Sequence, residues 1–136
     1  MKSRTNRRVK DVMSATYAIV DGLMTVEEAI GIARANEAKA LIVNKRHDDD
    51  EYGLVLMNDI AKKVLAQNRS PARTNVYEIM SKPALCVSPE MNVKYCARLF
   101  ERFGISRAPV VQEDKVMGMV SYNNIVIKGM VLDQGE

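Results

Sequence analysis

An internal repeat constrains the fold of this chain more than any other feature. The stretch VKDVMS at residues 9–14 returns as VYEIMS at residues 76–81, an offset of 67 residues, and the same offset pairs Val20 with Val87 and Met24 with Met91. After a shortening of two residues, GLVLMNDI at 53–60 matches GMVSYNNI at 118–125. Matches spread over this length indicate two copies of one structural unit.

Each copy predicts the same order of elements. After a short helical turn and an extended segment, Thr25 with Glu28 forms a capping box that begins a helix, and Asn92 is the corresponding cap in the second copy. Gly104 is placed to end that second helix. Two apolar runs then pair as a hairpin, ALIVN with GLVLM and APVVQ with VMGMVS, before a closing helix.

The predicted fold class is therefore α/β (α+β), with two β-α-β-β-α repeats packed with pseudo-twofold symmetry. One copy of about 55 residues would bury too little apolar surface to be stable alone. The extended segment YAIV is expected to be covered on both faces, because three apolar residues follow one another. The predicted domain bounds are a basic tail at 1–8, repeat one at 9–67, a linker at 68–75, repeat two at 76–130 and a tail at 131–136.

Composition excludes several classes of protein. The chain of 136 residues is 47% hydrophobic and 27% charged, and no apolar run is long enough to span a bilayer. The basic start leads into no apolar signal segment, and two distant cysteines make no disulfide framework, so we expect a cytoplasmic protein. Cys86 and Cys96 lie in apolar patterns and are interpreted as buried, inert thiols.

The net charge of +3 comes from the start of the chain. The first ten residues hold five of the 20 basic side chains, which leaves 15 basic against 17 acidic side chains in the remainder. No basic stripe or aromatic platform continues this tail, so we do not expect a nucleic-acid partner. The alternative, binding through the segment KSRTNRR, would show a steep salt dependence that is lost on deleting residues 1–8.

The residues of the sequence give little support for catalysis or metal binding. The polar run HDDDE at 47–51 is interpreted as a solvated hairpin tip, because it lacks the alternating ligands and turn glycine of a calcium loop. His47 is the only histidine, and no nucleophile, base and orienting group can be assembled around it. No glycine-rich phosphate motif is present either. We expect neither an enzyme nor a metal site.

Asp59 poses the sharpest question in the sequence. It follows the strand-like run GLVLM at the start of a helix, where a carboxylate is ordinary because free N–H groups and the helix dipole favour it. A carboxylate at such a point can also accept the two hydroxyls of a ribose. The helix-start role places Asn58 nearer the cap position. Both roles stay open from these residues alone.

The two copies together resemble the CBS domain, named for cystathionine β-synthase, in the tandem form called a Bateman module. The resemblance is carried by V-x-x-[VI]-M-S at the start of each copy, SPEMNV, FGISRAPVV, and G-h-V-x-x-N-[DN]-I at the close, where h is hydrophobic. It covers residues 9 to about 130, like a stand-alone CBS pair. Such pairs commonly bind adenosine-containing ligands (AMP, ADP, ATP, sometimes NAD or S-adenosylmethionine) non-covalently as regulatory ligands, in two clefts between the copies.

The resemblance also implies site residues. The first cleft would combine Leu85, Ile105, Ser106 and Arg107 with Asp59. The second would combine Ala18, Ala38, Lys39 and Ala40 with Ser121 and Asn124.

Each cleft keeps half of the family's hydroxyl and aspartate pair. The first has Leu56 at the hydroxyl position and retains Asp59; the second retains the hydroxyl as Ser121 but has Asn124 in place of the aspartate. An amide accepts a ribose hydroxyl without charge assistance. The Asp59 cleft is therefore expected to be the better ribose site, with Arg107 as a cationic fork for phosphate.

We weigh two functions. The first is a regulatory module that senses an adenine nucleotide as a small-molecule partner and passes the signal to an effector protein. The second is a structural dimerisation module with degenerate, ligand-free clefts. The resemblance favours a homodimer in either case, because CBS pairs usually assemble through exposed helical faces.

Overall fold

The computed structural model describes residues 6–130, which form two compact units. The central unit is Thr16–Ala84, and the terminal unit joins the segment that ends at Ala15 to the segment that begins at Leu85. Residues 1–5 of the predicted N-terminal tail and all of the predicted C-terminal tail, 131–136, lie outside the described residues. The helices and strands follow one another as α1 (Val9–Val12), β1 (Ala18–Val20), α2 (Val26–Asn36), β2 (Ala40–Val43), β3 (Gly53–Leu56), α3 (Met57–Ile60), α4 (Val93–Phe103), β4 (Arg107–Gln112), β5 (Lys115–Ser121) and α5 (Tyr122–Gly129).

The central unit is built on a three-stranded sheet in the order β1-β2-β3. Strands β1 and β2 are parallel and joined by the crossover helix α2, whereas β2 and β3 form the predicted antiparallel hairpin. Helix α2 begins as predicted, since the Thr25 hydroxyl accepts from the Glu28 N–H at 3.1 Å and Glu28 accepts from the Thr25 N–H at 3.0 Å. Its buried residues Val26, Ala29 and Ala33 pack on the sheet as part of one core.

The terminal unit repeats this construction with one difference. Strands β4 and β5 pair antiparallel, α4 is capped by Asn92, and Gly104 ends α4 in the left-handed conformation at φ 66°, all as predicted. The predicted first strand of the second copy is wrong, because only Val87 makes a bridge, to Val110 of β4. The segment at 84–86 carries no strand, and its proline neighbour Pro83 removes one backbone donor there.

Each unit is completed by the opening segment of the other copy. In the terminal unit, Ser14 pairs with Met119, and a Cβ on Gly118 would lie 2.9 Å from the sulfur of Met13. In the central unit, Leu54 pairs with Ser81, and a Cβ on Gly53 would lie 2.9 Å from the sulfur of Met80. A side chain at either position would displace the methionine of the opening segment, so glycine allows this close approach.

These contacts explain the pairing of the two strongest repeated motifs. The M-S of one copy lies against the glycine strand of the other copy, in both units. The compact units therefore do not coincide with the sequence repeats. The repeat bounds 9–67 and 76–130 describe only the sequence pattern, and they stay a prediction.

Two further expectations are wrong at the level of single elements, and the predicted closing helix of the first copy is found in a less regular form. Ile19 in the middle of β1 is 45% exposed, so that strand is not covered on both faces. The closing helix of the first copy is only four residues of α3, followed by a π-helical turn at Ala61–Leu65. Cys86 is exposed, whereas Cys96 is buried as predicted, and burial raises the pKa of the Cys96 thiol to about 11.

The predicted fold class is confirmed as a mixed α/β protein. Each unit has its own apolar core, centred on Leu41, Val55 and Ile79 in the central unit and on Phe100, Val110 and Val120 in the terminal unit. Between residues 6 and 130, none of the helices has the length and apolar character that crossing a membrane requires.

Candidate functional site

The predicted site residues of the central unit gather at one end of its sheet. Ala18 begins β1 and lies beside Leu41, while Ala40 begins β2 and pairs with Leu56 at the end of β3. Ala38 is buried directly before β2, and Lys39 between them is exposed. The starts of two strands and the end of the third thus form one edge, and α3 with Asp59 follows immediately.

Asp59 lies in the first turn of α3 and has a definite structural role. Its Oδ2 accepts from the backbone N–H of Leu56 at 2.8 Å, so Leu56 is the cap residue and the expected cap position at Asn58 is wrong. The carboxylate is partly buried, and among residues 6–130 its second oxygen, Oδ1, has no hydrogen-bond donor within reach. Asp59 therefore caps the helix with one oxygen and presents the other as an acceptor.

The terminal unit brings its own predicted residues to the equivalent end. Arg107 begins β4 and pairs with Ser121 at the end of β5. Ser106 precedes Arg107 and its carbonyl accepts from the Tyr122 N–H at 3.0 Å, which ties the loop to the start of α5. Leu85 and Ile105 are half-buried and pack against the core of this unit.

Ser121 and Asn124 form a closed hydrogen-bond network. The Asn124 Oδ1 accepts from the Ser121 N–H at 3.0 Å and from the Ser121 hydroxyl at 3.1 Å, and the Ser121 hydroxyl accepts from the Asn124 N–H at 3.2 Å. Both donors of Ser121 require an oxygen, so the amide nitrogen of Asn124 points away from Ser121. Asn124 therefore presents N–H donors where Asp59 presents an acceptor oxygen.

Each of these sheet ends carries one of the predicted cationic site residues. Arg107 is half-buried and Lys39 is exposed, and among the described residues neither makes an ion pair or a side-chain hydrogen bond. Each is therefore able to contact an anionic ligand without first breaking a protein contact. Arg107 can engage two oxygens of one phosphate or carboxylate at once, whereas Lys39 acts as a point charge.

The combinations that the resemblance implies draw residues from both units. Leu85, Ile105, Ser106 and Arg107 belong to the terminal unit but were predicted to act with Asp59 of the central unit. In the structure, the predicted residues of each unit lie together at the end of that unit's own sheet. The two clefts themselves, and the ligand contacts of these residues, stay predictions.

The prediction that the hairpin tip is solvated is wrong for Asp50. The Asp50 side chain is only 8% exposed and forms ion pairs with Lys82 at 2.8 Å and with Arg46 at 3.1 Å. The hydrogen bond from Lys82, followed by those from Arg46, lowers the pKa of the Asp50 carboxyl well below its ordinary value. His47, Asp48 and their neighbours are exposed, and nothing in the sequence separates Asp50 from the acids beside it.

No group of three potential metal ligands forms within residues 6–130. Both sheet ends instead carry hydrogen-bonding groups, a cation and small apolar residues. Such a set can hold a polar organic molecule by contacts to hydroxyls and anionic groups.

Comparisons with known proteins show which family this chain resembles. The family model for the CBS domain matches residues 76–129. The chain is 27% identical over 122 residues to the CBS domain-containing protein YhcV of Bacillus subtilis, covering 90% of this chain and 85% of that protein.

Solved structures agree with this relationship. The hexameric CBS-CP12 protein from bloom-forming cyanobacteria is 38% identical with a TM-score of 0.86, covering 90% of this chain and 70% of that one. The CBS domain pair of protein MJ0100, in complex with 5′-methylthioadenosine and S-adenosylmethionine, is 27% identical with a TM-score of 0.73, covering 87% and 95%. From the repeat, the fold and these matches, the chain belongs to the CBS-domain family and carries a pair of CBS domains.

Proposed function

We propose that this protein is a regulatory module that binds an adenosine-containing ligand, with AMP, ADP and ATP as the first candidates and NAD and S-adenosylmethionine as the next. The ligand is held non-covalently, and its binding is passed on to an effector protein. The module performs no chemistry on the ligand. Asp59 is the proposed contact for ribose, and Arg107 and Lys39, each at the sheet end of its own unit, are the proposed contacts for phosphate.

The observation that carries this proposal is the divided role of the Asp59 carboxylate. Its Oδ2 holds the Leu56 N–H, and its Oδ1 is left as an acceptor at the end of the sheet. Ribose offers two neighbouring hydroxyl donors, and a bond from a hydroxyl to a carboxylate is about twice as strong as one between neutral groups. A ribose-containing ligand therefore matches the group that this sheet end presents.

The ligand class is supported by the relatives. The CBS pair of MJ0100 was solved with 5′-methylthioadenosine and S-adenosylmethionine, both of which contain adenosine. The choice among nucleotides rests on the cations, since Arg107 and Lys39 suit a phosphate better than an uncharged tail.

Calorimetry tests this proposal directly. AMP, ADP, ATP, NAD and S-adenosylmethionine are each titrated into the whole protein, with adenosine and guanosine monophosphate as controls for the phosphate and the base. We expect saturable binding of at least one adenosine-containing ligand. Ligand at 100 times its dissociation constant should raise the free energy of unfolding by about 2.7 kcal/mol. No heat and no thermal shift with any of them would contradict the proposal.

The chain offers a matched variant for the role of Asp59. Asn124 captures the N–H of its own cap residue through an amide oxygen, so Asp59→Asn is expected to keep helix capping while removing the charged acceptor. We expect stability within about 0.5 kcal/mol of the native protein and affinity about 10-fold weaker, the typical difference for one charge-assisted bond.

Two alanine variants complete this comparison. Asp59→Ala should weaken ligand binding more than Asn124→Ala does. Equal losses of affinity in the two variants would show that the retained aspartate does not select the better site.

A second candidate function, self-association, is favoured by a different observation. Helices α4 and α5 leave large apolar side chains exposed: Tyr95 at 55%, Phe103 at 56%, Val126 at 47% and Ile127 at 57%. Apolar groups clustered on helices in this way are typical of association surfaces. We propose a homodimer that uses these helices.

Sedimentation velocity distinguishes the two functions. A dimer that forms without nucleotide and loses affinity in the Phe103→Ser and Ile127→Ser variants is the expected result for this surface. A protein that stays dimeric but binds none of the five ligands would favour the purely structural function. A monomer at all concentrations would refute the homodimer.

A further inference from the structure

The central unit contains a cavity at the end of its sheet opposite to Asp59. This cavity has a volume of about 950 Å³ and is lined by residues that follow β1 and β2, together with Tyr77, Met80 and Lys82. Known ligand pockets are typically about 300–1,000 Å³, so the cavity is large enough for a small organic molecule. None of the predicted adenosine-site residues lines it.

The cavity lies beyond the carboxyl ends of two parallel strands. Strands β1 and β2 are neighbouring parallel strands joined by α2, and the lining residues Asp21 and Asn44 come directly after their carboxyl ends. In open α/β sheets, ligands commonly bind outside the carboxyl ends of the strands. The predicted adenosine-site residues Ala18 and Ala40 instead lie at the amino ends of the same two strands.

The apolar part of this cavity is unusually open. Ile19 is 45% exposed, Leu23 is 75% exposed and Tyr77 is 51% exposed, and all three are lining residues. Tyr77 is held in place by its backbone, because its N–H donates to the Gly22 carbonyl at 2.9 Å. An aromatic ring beside two aliphatic side chains offers a surface for a flat or aliphatic body.

The charged part of the cavity is built around Arg46. Its Nε donates to Asp50 at 3.1 Å, and Asp50 is also held by Lys82 at 2.8 Å. This contact fixes the Nε edge of the guanidinium, and among residues 6–130 the two terminal nitrogens of Arg46 contact no acceptor. Asp50 is thus a positioning residue, and the terminal nitrogens of Arg46 form a fork suited to a carboxylate, sulfonate or phosphate.

The charge balance favours the same kind of ligand. Lys45, Arg46 and Lys82 line the cavity, against Asp21 in the lining and Asp50 behind it. The charged side chains that line the cavity are therefore mostly basic. A basic lining favours an anionic ligand.

We propose that this cavity is a second ligand site, which binds a small organic anion with an aromatic or aliphatic body. The body packs on Ile19, Leu23 and Tyr77, and the anionic group binds Arg46. This site is separate from the proposed adenosine site, since the two occupy opposite ends of the central sheet and share no residue.

A pair of probes that differ by one group tests both halves of the proposal. 8-Anilinonaphthalene-1-sulfonate has an aromatic body and a sulfonate, whereas N-phenyl-1-naphthylamine has the same body without the charge. We expect the whole protein to bind the sulfonate about 10-fold more tightly, the gain typical of a charge-assisted contact. Equal binding of the two probes would overturn the assignment of an anion site.

Variants assign the two contacts. Arg46→Gln should weaken sulfonate binding about 10-fold and leave the uncharged probe within about twofold. Tyr77→Ala should weaken both probes. Arg34→Gln on α2 is the matched control for Arg46→Gln, because Arg34 is exposed and lies outside the cavity. If Arg46→Gln and Arg34→Gln behave alike, the proposal is wrong.

Amide chemical shifts locate the bound probe. Titration of the sulfonate into ¹⁵N-labelled protein should shift the amide signals of Gly22, Asn44 and Lys82, which line the cavity. Adding a saturating adenosine ligand should not displace the probe. Shifts confined to α4 and α5 would place the probe on the exposed apolar helices and overturn the proposal.

Discussion

Two residues at equivalent positions illustrate how a single atom changes the chemistry of a site. Asp59 and Asn124 each accept the backbone N–H of the residue three positions earlier, at 2.8 and 3.0 Å. Because the Ser121 hydroxyl also donates to Asn124, the amide turns its nitrogen outward. Leu56 has no hydroxyl, so no such second bond exists at Asp59. The two sheet ends therefore present opposite hydrogen-bonding groups.

The two cysteines should differ sharply in reactivity. Cys86 is exposed, whereas Cys96 is buried and its pKa is raised to about 11, so little Cys96 thiolate exists at neutral pH. We expect a thiol reagent at pH 8 to modify one cysteine rapidly in the native protein and the second only in denaturant. Mass spectrometry of the digested protein identifies the modified residue. Rapid modification of Cys96 in the native state would contradict its burial.

The sequence could predict Cys96 but not Cys86. Cys96 lies on the apolar stripe of α4 with Val93 and Phe100, and helical periodicity alone places it in the core. Cys86 follows two apolar residues that resemble the start of a strand, but only Val87 finds a strand partner. Strand formation depends on a partner elsewhere in the chain, so a short apolar run does not determine burial.

At the scale of elements, the β2–β3 hairpin is anchored to a distant segment by one carboxylate. Asp50 at the tip binds Lys82, and the neighbouring Ala84 N–H donates to the Tyr52 carbonyl at 2.8 Å. The segment that leaves the central unit is thereby fixed along the hairpin. This hairpin also supplies Arg46, so the anchor positions one of the residues that line the cavity of the central unit.

The Asp50 anchor should make stability dependent on acid. Its pKa is lowered in the folded state, so its contribution is complete above the ordinary aspartate pKa and is lost as the pH falls through the folded value. We expect Asp50→Asn to be less stable than the native protein at pH 7. This difference should shrink below about pH 4, where the unfolded aspartate takes up its proton. Urea denaturation at pH 7 and pH 3 measures both effects.

Asp48→Asn is the matched control for this effect, because Asp48 is an exposed acid on the same tip. Its effect on the free energy of unfolding should be small at both pH values. Glu28 and Glu78 also have lowered pKa values, from bonds to the Thr25 and Asn75 backbones, so some acid sensitivity remains in Asp50→Asn. A difference for Asp50→Asn that does not change with pH would contradict the ionic anchor.

Local signals account for the elements that the sequence predicts correctly. Thr25, Asn92 and Gly104 act through bonds or backbone angles within their own helix turn, and all three are found in their expected roles. The cap of α3 is different, because Leu56 has no capping side chain and Asp59 reaches back to it. The π-helical turn after α3 has no comparable local signal.

At the scale of the whole molecule, the exchange of opening segments decides which part of the chain can fold alone. The central unit takes Val76 and Ile79, each 1% exposed, from the start of the second repeat. The Thr74 carbonyl also accepts from the Val26 N–H at 2.8 Å at the start of α2. The predicted repeat 9–67 lacks Thr74, Val76 and Ile79, so it lacks part of its core.

Two fragments of similar length test this boundary. We expect fragment 16–84 to unfold cooperatively in urea and to show dispersed amide signals, and fragment 9–67 to show neither. Fragment 16–67 is the control, and it should resemble 9–67 because residues 9–15 pack in the terminal unit. Cooperative unfolding of 9–67 together with a disordered 16–84 would show that the sequence repeat is the folding unit.

The placement of α1 has a consequence for synthesis of the chain. Lys10 of α1 pairs with Glu90, 80 positions later, and the Val9 N–H donates to the Met91 carbonyl. At roughly 5–20 residues per second, a ribosome makes these partners about 4–16 s after α1. The complete central unit is made during that interval. Helix α1 is thus made before the central unit but can pack only after it, and Val9 and Val12 stay without their core until the residues around 90 have emerged.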